Sequence, residues 1–389
     1  MSFIQLAKRM NDIRPFYVMD LLARARELEA AGRSIIHLEV GEPDFSTPET
    51  ILNVAHDALD KKQMHYTSAI GLIELRQKIA DYYLSRFKVT VPVEQIIITP
   101  GASGALQLAL SVLINPGDEV LMTDPGYPCN RHFVRLLDGK SISIPVTAET
   151  SFQLSVDSIN QYWSDKTVAA MVASPANPTG TIIERDDMQA MINIIGQKKG
   201  VLLIDEIYQG LSYEAEDYTS LELTRNAFVI NSFSKYFGMT GWRLGWMVVP
   251  EAYVDAVDRL AQNIFLASPT LSQYAAIEAF SDKTLAILEQ RREEFQRRRD
   301  YLLPALQAAG FEVAVKPRGA FYIYANCSAF TDDSFTFVNQ LLEEAGVAIT
   351  PGIDFGEFEA GKHVRFAYTR PVPVLEEAVS RLKEFIKNF

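Results

Sequence analysis

Short apolar segments alternate with amphipathic segments between residues 51 and 249 of this chain. The amphipathic segments, such as 188–198, have the spacing of helices. The apolar segments have the length of buried strands and lie at 95–99, 119–123, 168–173, 201–205 and 228–231. Because this alternation favours parallel pairing, we predict an α/β fold with a largely parallel sheet covered by helices on both faces. Ligands on such sheets bind at the carboxyl ends of the strands.

The two ends of the chain carry different patterns. Apolar residues at helical spacing predict a helix over 17–31, and a predicted strand at 35–40 leads into a Gly-Glu-Pro-Asp-Phe turn at 41–45. Strands near 321–325 and 363–368, followed by a final helix, predict a small α+β unit. With 389 residues, the chain is also longer than one compact core commonly holds, so we expect two domains.

The segment 282–310 is rich in charged residues of both signs, including Arg291, Arg292, Glu293 and Glu294. Opposite charges three or four positions apart on a helix form surface pairs. We therefore expect a solvated helix in this segment.

Composition excludes several classes of function. The net charge of −12 opposes general binding to nucleic acid or anionic membranes, although it allows a local cationic pocket. Cys129 and Cys327 have no partner at a metal-ligand spacing, and the five histidines lie in unrelated segments, so we expect neither a disulfide framework nor a metal site. Residues 1–10 lack the apolar stretch of a secretory leader, and no segment has membrane-spanning length, which predicts a cytoplasmic protein.

Lys235 directly follows a predicted strand and has hydroxyl groups, glycines and an arginine around it in the sequence. An isolated lysine in such a place is ordinarily a surface residue. An aldehyde cofactor, however, requires an amine with a lowered pKa, which a lysine near other cationic groups in a dry pocket provides. Ser232, Ser234 and Arg243 offer donors for a phosphate dianion. One short segment thus combines an aldehyde trap with an anion clamp.

The pattern Ser-x-Ser-Lys at 232–235, followed by Arg243, resembles the cofactor-lysine signature of class I and II aminotransferases, which depend on pyridoxal 5′-phosphate (PLP). The resemblance extends over nearly the whole chain. In that family the lysine holds the cofactor as a Schiff base and later moves the proton between substrate and cofactor. The resemblance gives both roles to Lys235.

The family resemblance also implies fold type I of the PLP-dependent transferases. In this fold a large domain with a mostly parallel sheet is covered by helices, and a small α+β domain is formed by both chain ends. The corresponding ranges are 47–296 for the large domain, and 1–46 with 297–389 for the small domain.

Asp205 ends the predicted strand 201–205 and therefore has two interpretations. A carboxylate there can cap the next helix. It can also hold a pyridine nitrogen protonated, which makes the ring an electron sink. The resemblance favours the second role and implies that Tyr208 donates to the phenolate oxygen of the ring. Asn177, in a turn that matches the family's Asn-Pro-x-Gly turn, is implied to contact the same oxygen and to help bind the substrate carboxylate.

The segment 99–109 has the order strand, glycine loop and helix start, which directs backbone N–H groups towards an anion. Such loops are common, but within the family pattern Ala102, Ser103 and Gly104 are the positions that hold the phosphate. The resemblance further implies that Tyr127, after the next strand, stacks on the cofactor ring. A buried tyrosine of the core is the alternative for Tyr127.

Arg365 lies in a segment that resembles the C-terminal strand whose arginine binds the substrate α-carboxylate, a planar anion suited to a guanidinium. The backbone of Gly41 is implied to bind the same carboxylate. Tyr66 matches a family tyrosine that reaches the phosphate in the neighbouring subunit. The resemblance therefore implies a homodimer with shared active sites.

The resemblance implies an enzyme of amino-acid metabolism that moves an amino group from an L-amino acid to a 2-oxo acid by a ping-pong mechanism, with PLP alternating with pyridoxamine phosphate. Carbon–sulfur β-lyases and aminocyclopropane-carboxylate synthases share this set of residues, because the pocket decides which bond breaks. A third hypothesis is a PLP-sensing regulatory domain fused to a DNA-binding module. The acidic charge and the short segment before Gly41 disfavour it.

The sequence leaves the substrate open. Phe16 and Tyr17 either line an apolar pocket or pack within the small domain. Frequency within the family favours aspartate or aromatic donors with 2-oxoglutarate as the acceptor.

Overall fold

The computed structural model describes residues 6–389. Its strands are β1 (Ile36–His37), β2 (Ile96–Thr99), β3 (Glu119–Asp124), β4 (Lys140–Pro145), β5 (Thr167–Ala173), β6 (Val201–Asp205), β7 (Phe228–Ser232), β8 (Gly245–Val248), β9 (Tyr322–Asn326), β10 (Val347–Ala348), β11 (Thr350–Pro351) and β12 (His363–Ala367). Its α-helices are α1 (Tyr17–Ala30), α2 (Glu49–Asp60), α3 (Ile73–Phe87), α4 (Gly101–Leu113), α5 (Pro128–Leu136), α6 (Val156–Tyr162), α7 (Arg185–Gln197), α8 (Val254–Ile264), α9 (Thr270–Ile277), α10 (Asp282–Gln307), α11 (Ser334–Gln340) and α12 (Val372–Asn388).

A seven-stranded sheet with the order β2-β8-β7-β6-β5-β3-β4 forms the centre of the fold. Strand β8 runs antiparallel to both of its neighbours, and the other neighbouring pairs are parallel. The prediction of a largely parallel sheet is therefore confirmed. Two of its strands were not predicted: β4 is an edge strand with polar residues at alternate positions, and β8 lies in the glycine-containing segment after Lys235.

Side chains of the sheet alternate between two apolar layers. Ile97 and Leu203 pack in a layer with α4 and α8, whereas Ile96, Ile98 and Leu202 belong to the larger layer on the opposite face. This two-residue period is the geometry of a strand, whose successive side chains point to opposite faces. Because both faces of the sheet are buried at its centre, the central strands β5, β6 and β7 are largely apolar in sequence.

The two chain ends pair with each other outside the large sheet. Ile36 and His37 in β1 form a parallel pair with Val347 and Ala348 in β10. Strands β11, β12 and β9 form an antiparallel sheet in which Arg365 is paired with Tyr324 on one side. The strand predicted at 35–40 is shorter than expected, because β10 is itself only two residues long.

The expectation of a solvated charged helix is wrong for one face of α10. The side chain of Arg298 is 3% exposed, and its guanidinium contacts both carboxylate oxygens of Asp44 at 2.7 and 3.1 Å. It also lies 4.9 Å from the centre of the Phe45 ring. This face of α10 is buried because the turn at 41–45 packs against it, and that contact was not visible from helical periodicity. The pairing of charges is as expected on the outer face, where Arg297 pairs with Glu294.

Within residues 6–389, no helix is long and apolar enough to cross a membrane. The expectation about a leader concerns residues 1–10, of which 1–5 lie outside the described part of the chain.

We predict that the ion pair between Arg298 and Asp44 stabilises the fold. Arg298→Gln should lower the free energy of unfolding by about 3 kcal/mol, because it leaves the Asp44 carboxylate, 14% exposed, without its charged partner. Arg297→Gln is the matched control on the same helix turn. Because the Arg297 side chain is 73% exposed, this substitution should lower the free energy of unfolding by less than about 0.5 kcal/mol. Urea denaturation of the two variants measures the difference, and equal midpoints would contradict the prediction.

Candidate functional site

Several of the residues singled out from the sequence lie at the carboxyl-terminal edge of the parallel strands. Asp205 and Ser232 are the last residues of β6 and β7. Tyr127 and Asn177 follow β3 and β5, and α4 begins directly beyond β2. Parallel strands end at one edge of their sheet, so the order of the strands brings these separate segments together.

Lys235 follows β7 and contacts the N-terminal turn. Its Nζ donates a hydrogen bond to the backbone oxygen of Gly41 at 2.5 Å. The same atom lies 5.9 Å from the centre of the Tyr208 ring and 5.8 Å from that of Phe321. The sequence implied that the Gly41 backbone faces the substrate, whereas the structure places the Gly41 carbonyl against the lysine amine.

The pKa of Lys235 is lowered from its usual value to about 8, and burial is the largest cause. The nearby positive charges of Arg365 and Arg243 lower it further, while the carboxylates of Glu42 and Asp205 raise it. A lysine with this pKa is partly unprotonated near neutral pH, as an amine nucleophile must be.

Asp205 is a buried carboxylate that faces the same region. Its Oδ1 accepts a hydrogen bond from the backbone N–H of Ile207 at 3.0 Å. Because a turn and not a helix follows β6, the capping interpretation is wrong. Burial raises the pKa of Asp205 to about 6, against the opposing effects of the Ile207 hydrogen bond and the Lys235 charge. Since this pKa is below 7, the group is mainly an anion at neutral pH and can face a protonated ring nitrogen.

The start of α4 forms an anion cradle with Arg243. Helix α4 has no side-chain cap at its N-terminus, so the first N–H groups are free of a competing side chain. Gly101 has a φ of +74° and lies very close to Arg243. A Cβ atom on Gly101 would be only 2.7 Å from Nη2 of Arg243, so a glycine is needed at this position. Gly245 of β8 packs against the same turn. A Cβ atom on Gly245 would lie 2.9 Å from the backbone nitrogen of Ala102.

Ser232 and Ser234 lie beside this cradle and contact each other. Their hydroxyl oxygens are 3.0 Å apart, and the backbone N–H of Ser234 donates to the hydroxyl of Ser232 at 3.1 Å. In β7, Ser232 is paired with Gly245, which touches the first turn of α4. The two hydroxyl groups are therefore held close to the positive end of the helix.

Arg365 is buried and holds three segments together. Its Nη1 donates to Asn177 Oδ1 at 2.9 Å, and its Nη2 donates to Thr350 Oγ1 at 3.0 Å and to the backbone oxygen of Glu39. Among the described residues, its buried Nε has no hydrogen-bond partner. A buried N–H of a charged group costs free energy when it is unsatisfied, so this atom fits a carboxylate ligand.

Tyr127 lies at the start of α5 and is flanked by the N-terminal segment. The rings of Phe16 and Tyr127 meet edge to face, with their centres 6.5 Å apart. Burial raises the pKa of Tyr127 well above its usual value. Phe16 therefore lies beside the proposed ring-stacking tyrosine. This position supports the interpretation that Phe16 lines an apolar pocket.

Tyr66 lies on the surface of the chain, with 82% of it exposed. The adjacent backbone oxygen of His65 accepts a hydrogen bond from Thr270 at 2.9 Å, which fixes the segment. This exposure is compatible with a contact to a second subunit.

Sequence reasoning missed Tyr322, which contacts both halves of the site. Its hydroxyl oxygen is 2.7 Å from that of Tyr208, and its ring centre lies 4.3 Å from Cζ of Arg365. The only signal in the sequence was a tyrosine in a predicted strand, and many buried strands contain one. Only the pairing of β9 with β12 places Tyr322 beside Arg365.

These groups define a class of site. An amine of lowered pKa, a buried carboxylate and a helix N-terminus with an arginine match the aldehyde, the ring nitrogen and the phosphate of PLP. The buried guanidinium with a free N–H matches the carboxylate of a substrate. The donor set therefore fits a PLP-dependent enzyme that acts on an amino acid.

Comparison with known proteins agrees with this class. The family model described as "Aminotransferase class I and II" matches residues 33–382. The chain is 38% identical to the (5-formylfuran-3-yl)methyl phosphate transaminase of Methanocaldococcus jannaschii over 98% of this chain and 100% of that protein. It is 38% identical to the valine–pyruvate aminotransferase of Mycobacterium tuberculosis, over 97% of each chain.

Solved structures give the same result. An aminotransferase from Mycobacterium tuberculosis superposes with a TM-score of 0.96 at 37% identity, covering 99% of this chain and 100% of the other. Aspartate aminotransferase from Thermus thermophilus with maleate has a TM-score of 0.92 at 31% identity, over 98% and 99% of the two chains.

The chain belongs to the class I and II aminotransferases. It is a PLP-dependent aminotransferase of fold type I, and the predictions of family, fold class and cofactor are confirmed. The relatives include aspartate and aromatic-amino-acid aminotransferases as well as the two named above, so the family leaves the choice of amino acid open.

We predict that the Lys235 amine of the cofactor-free protein reacts with aldehydes according to its lowered pKa. The rate at which added PLP forms a visible absorbance band should rise with pH with a midpoint near pH 8 and level off at higher pH, because only the unprotonated amine attacks. Glu42→Gln should move the midpoint to lower pH, since the Glu42 carboxylate raises the pKa of Lys235. A midpoint near that of an ordinary exposed lysine, at about 10.4, would contradict the prediction.

Proposed function

We propose that the protein transfers the amino group of an apolar or aromatic L-amino acid to a 2-oxo acid, with Lys235 as the catalytic amine and base. The observation that carries the proposal is the pairing of a lysine of lowered pKa with a buried guanidinium whose Nε is free to bind a carboxylate. Two half-reactions in sequence, one for each substrate, then account for the transfer.

Each polar group of the site has a separate task in this proposal. Arg365 and Asn177 bind and orient the substrate carboxylate, which fixes the Cα–H bond relative to Lys235. The amine of Lys235, when unprotonated, would accept the proton from Cα and deliver it to the aldehyde carbon of the cofactor. PLP, when bound, withdraws electrons from the Cα–H bond that breaks.

Further groups are proposed to hold the cofactor. The carboxylate of Asp205 keeps a proton on the ring nitrogen, and Tyr208 and Asn177 donate to the ring oxygen. Tyr127 covers one face of the ring. The proposed phosphate ligands are Ala102, Ser103, Gly104, Ser232, Ser234 and Arg243.

The side-chain pocket favours an apolar or aromatic donor over aspartate. The ring of Phe16 meets that of Tyr127 edge to face and thus adds apolar surface beside Tyr127. The carboxylate of Glu42 is close enough to raise the pKa of Lys235, and its charge opposes the second carboxylate of a dicarboxylic substrate. Valine–pyruvate aminotransferase, one of the relatives, is named for two monocarboxylic substrates.

We propose a homodimer in which Tyr66 reaches the phosphate site of the neighbouring subunit. Leu72 and Thr67 form hydrogen bonds with Gln273 of α9. The segments on either side of this contact carry exposed apolar side chains, namely Met64, Tyr66, Ile73, Ile264 and Leu266. Exposed apolar patches of this kind are typical of interfaces between proteins.

We also propose the domain ranges 47–296 for the large domain, and 1–46 with 297–389 for the small one. The pairing of β1 with β10 supports a small domain built from both ends. Two free cysteines, Cys129 and Cys327, support a reducing compartment and thus a cytoplasmic location.

Replacement of Lys235 tests the proposed activity. Lys235→Ala should abolish the visible absorbance of the Schiff base with the cofactor and lower the transamination rate by about 10³-fold or more, because both the covalent attachment and the base are lost. Lys283→Ala, on the exposed face of α10, is the control and should behave like the wild type. A Lys235→Ala protein with the full rate would refute the assignment.

The amino donor can be identified by supplying a panel of amino acids without any 2-oxo acid. A donor should remove the visible absorbance band of the bound cofactor, because the first half-reaction converts PLP to pyridoxamine phosphate. Phenylalanine, tyrosine and valine should convert it faster than aspartate. Pyruvate release from a cysteine conjugate under the same conditions would instead identify a carbon–sulfur β-lyase.

The homodimer makes a separate prediction. Leu266→Asp should shift the protein towards monomers in analytical ultracentrifugation, because it buries a charge in the proposed interface. Leu266 is 54% exposed with φ +64°, a conformation that aspartate tolerates better than leucine, so the folded monomer is not strained by the change. Met19→Asp, at 55% exposure on α1, is the control. A Leu266→Asp protein with the same oligomeric state as the control would contradict the interface.

A further inference from the structure

Tyr322 is a buried residue with contacts to both the cofactor side and the substrate side of the site. It lies in β9, where it is paired with Ala367 of β12, two residues beyond Arg365. Only 1% of its surface is exposed. Its neighbours therefore fix its position and limit the hydrogen-bond partners that its hydroxyl can reach.

The hydroxyl of Tyr322 has one close side-chain partner, the hydroxyl of Tyr208 at 2.7 Å. The two rings are nearly perpendicular, with centres 5.6 Å apart. Either oxygen can donate in this hydrogen bond. If Tyr208 uses its own proton to bind the cofactor, however, Tyr322 must be the donor.

The ring of Tyr322 supports the guanidinium of Arg365. The distance from Cζ of Arg365 to the ring centre is 4.3 Å, and the Phe355 ring lies 4.9 Å from the same Cζ atom. A guanidinium held between two aromatic rings loses little mobility when it binds a planar carboxylate. This contact depends on the ring of Tyr322 and does not require its hydroxyl.

The phenol of Tyr322 also lies against the backbone that contacts Lys235. A Cβ atom on Gly41 would lie 1.9 Å from the Tyr322 hydroxyl oxygen, so no larger residue fits at position 41 without displacing the phenol. The carbonyl of Gly41 accepts the hydrogen bond from Lys235 Nζ. One side chain thus touches three groups of the site that come from distant parts of the sequence.

We propose that Tyr322 is a positioning residue that acts on the cofactor through Tyr208. Its hydroxyl donates to the Tyr208 oxygen, orients the Tyr208 proton towards the cofactor and strengthens it as a donor, since hydrogen bonds in a chain polarise one another. Its ring separately holds Arg365 in place for the substrate carboxylate. The proposal rests on the proposed function, in which Tyr208 binds the ring oxygen.

Substitutions can separate the hydroxyl from the ring. Tyr322→Phe removes the hydrogen bond to Tyr208 and keeps the ring under Arg365. Tyr322→Leu removes both. We expect Tyr322→Phe to lower kcat several-fold with KM for the amino acid unchanged within about twofold, and Tyr322→Leu to raise KM as well.

The decisive measurement is the pH titration of the visible absorbance of the bound cofactor. A weaker hydrogen-bond donor at the ring oxygen makes the chromophore more basic. The Tyr322→Phe substitution should therefore raise the apparent pKa of the chromophore by about half a unit. Tyr208→Phe should raise it by about one unit or more in the same titration. The double variant should titrate like Tyr208→Phe alone, because Tyr322 acts only through Tyr208.

The neighbouring Tyr324 provides the matched control. It is on the same strand and is also buried, but its ring stacks on His363. Tyr324→Phe should leave the titration unchanged. A Tyr322→Phe titration equal to that of the wild type, or a shift that adds fully to the Tyr208→Phe shift, would overturn the proposal for Tyr322. Failure of the wild-type protein to form a visible band with PLP, or of Tyr208→Phe to shift it, would instead refute the proposed function.

Discussion

The buried guanidinium of Arg365 donates hydrogen bonds to groups from three separate segments. These are the side chain of Asn177 beyond the large sheet, the backbone of Glu39 near the amino end and the hydroxyl of Thr350. A buried charge is costly unless its donors are satisfied, so the three segments must converge on this point. The geometry of the site follows from that requirement, because Gly41 and Lys235 then meet close to the same guanidinium.

Burial also sets the chemistry of the ionisable groups. Removal from water lowers the pKa of Lys235 to about 8 and raises that of Asp205 to about 6. The two shifts have opposite signs because burial disfavours the charged form of each group. Near neutral pH the amine is therefore partly free of its proton, while the carboxylate remains mainly an anion. The same environment thus prepares a nucleophile and a negative partner for a ring nitrogen.

The turn at 41–45 connects this site to the scaffold. Asp44 is fixed by Arg298, and Phe45 packs on the same guanidinium. Helix α10 thereby holds the backbone that contacts the Lys235 amine. The helix pattern alone predicted a solvated surface, and the buried face became evident only from the contact with a segment more than two hundred residues away.

Much of the architecture was predictable from local patterns. Strand β6 has the predicted bounds, and β2, β3, β5 and β7 differ from the predicted strands by one residue. Edge strand β4 escaped prediction because polar residues interrupt its sequence. The apolar run of β8, at 246–249 between Gly245 and Pro250, is a strand signal that the prediction missed. Lys235, Asp205 and Arg365 could be selected because each is a charged residue within, at the end of or shortly after a predicted apolar strand and matches a family motif. Tyr322 could not, because nothing in its local sequence distinguishes a site tyrosine from a core tyrosine.

The sequence by itself determined the alternation of strands and helices, the family and the identity of the lysine, since these depend on periodicity and short motifs along the chain. Only the tertiary structure decided which distant groups meet: Gly41 with Lys235, Tyr322 with Tyr208, and Asp44 with Arg298. The physical reason is that strand order and packing bring these groups together, and local sequence does not encode contacts between segments more than a hundred residues apart.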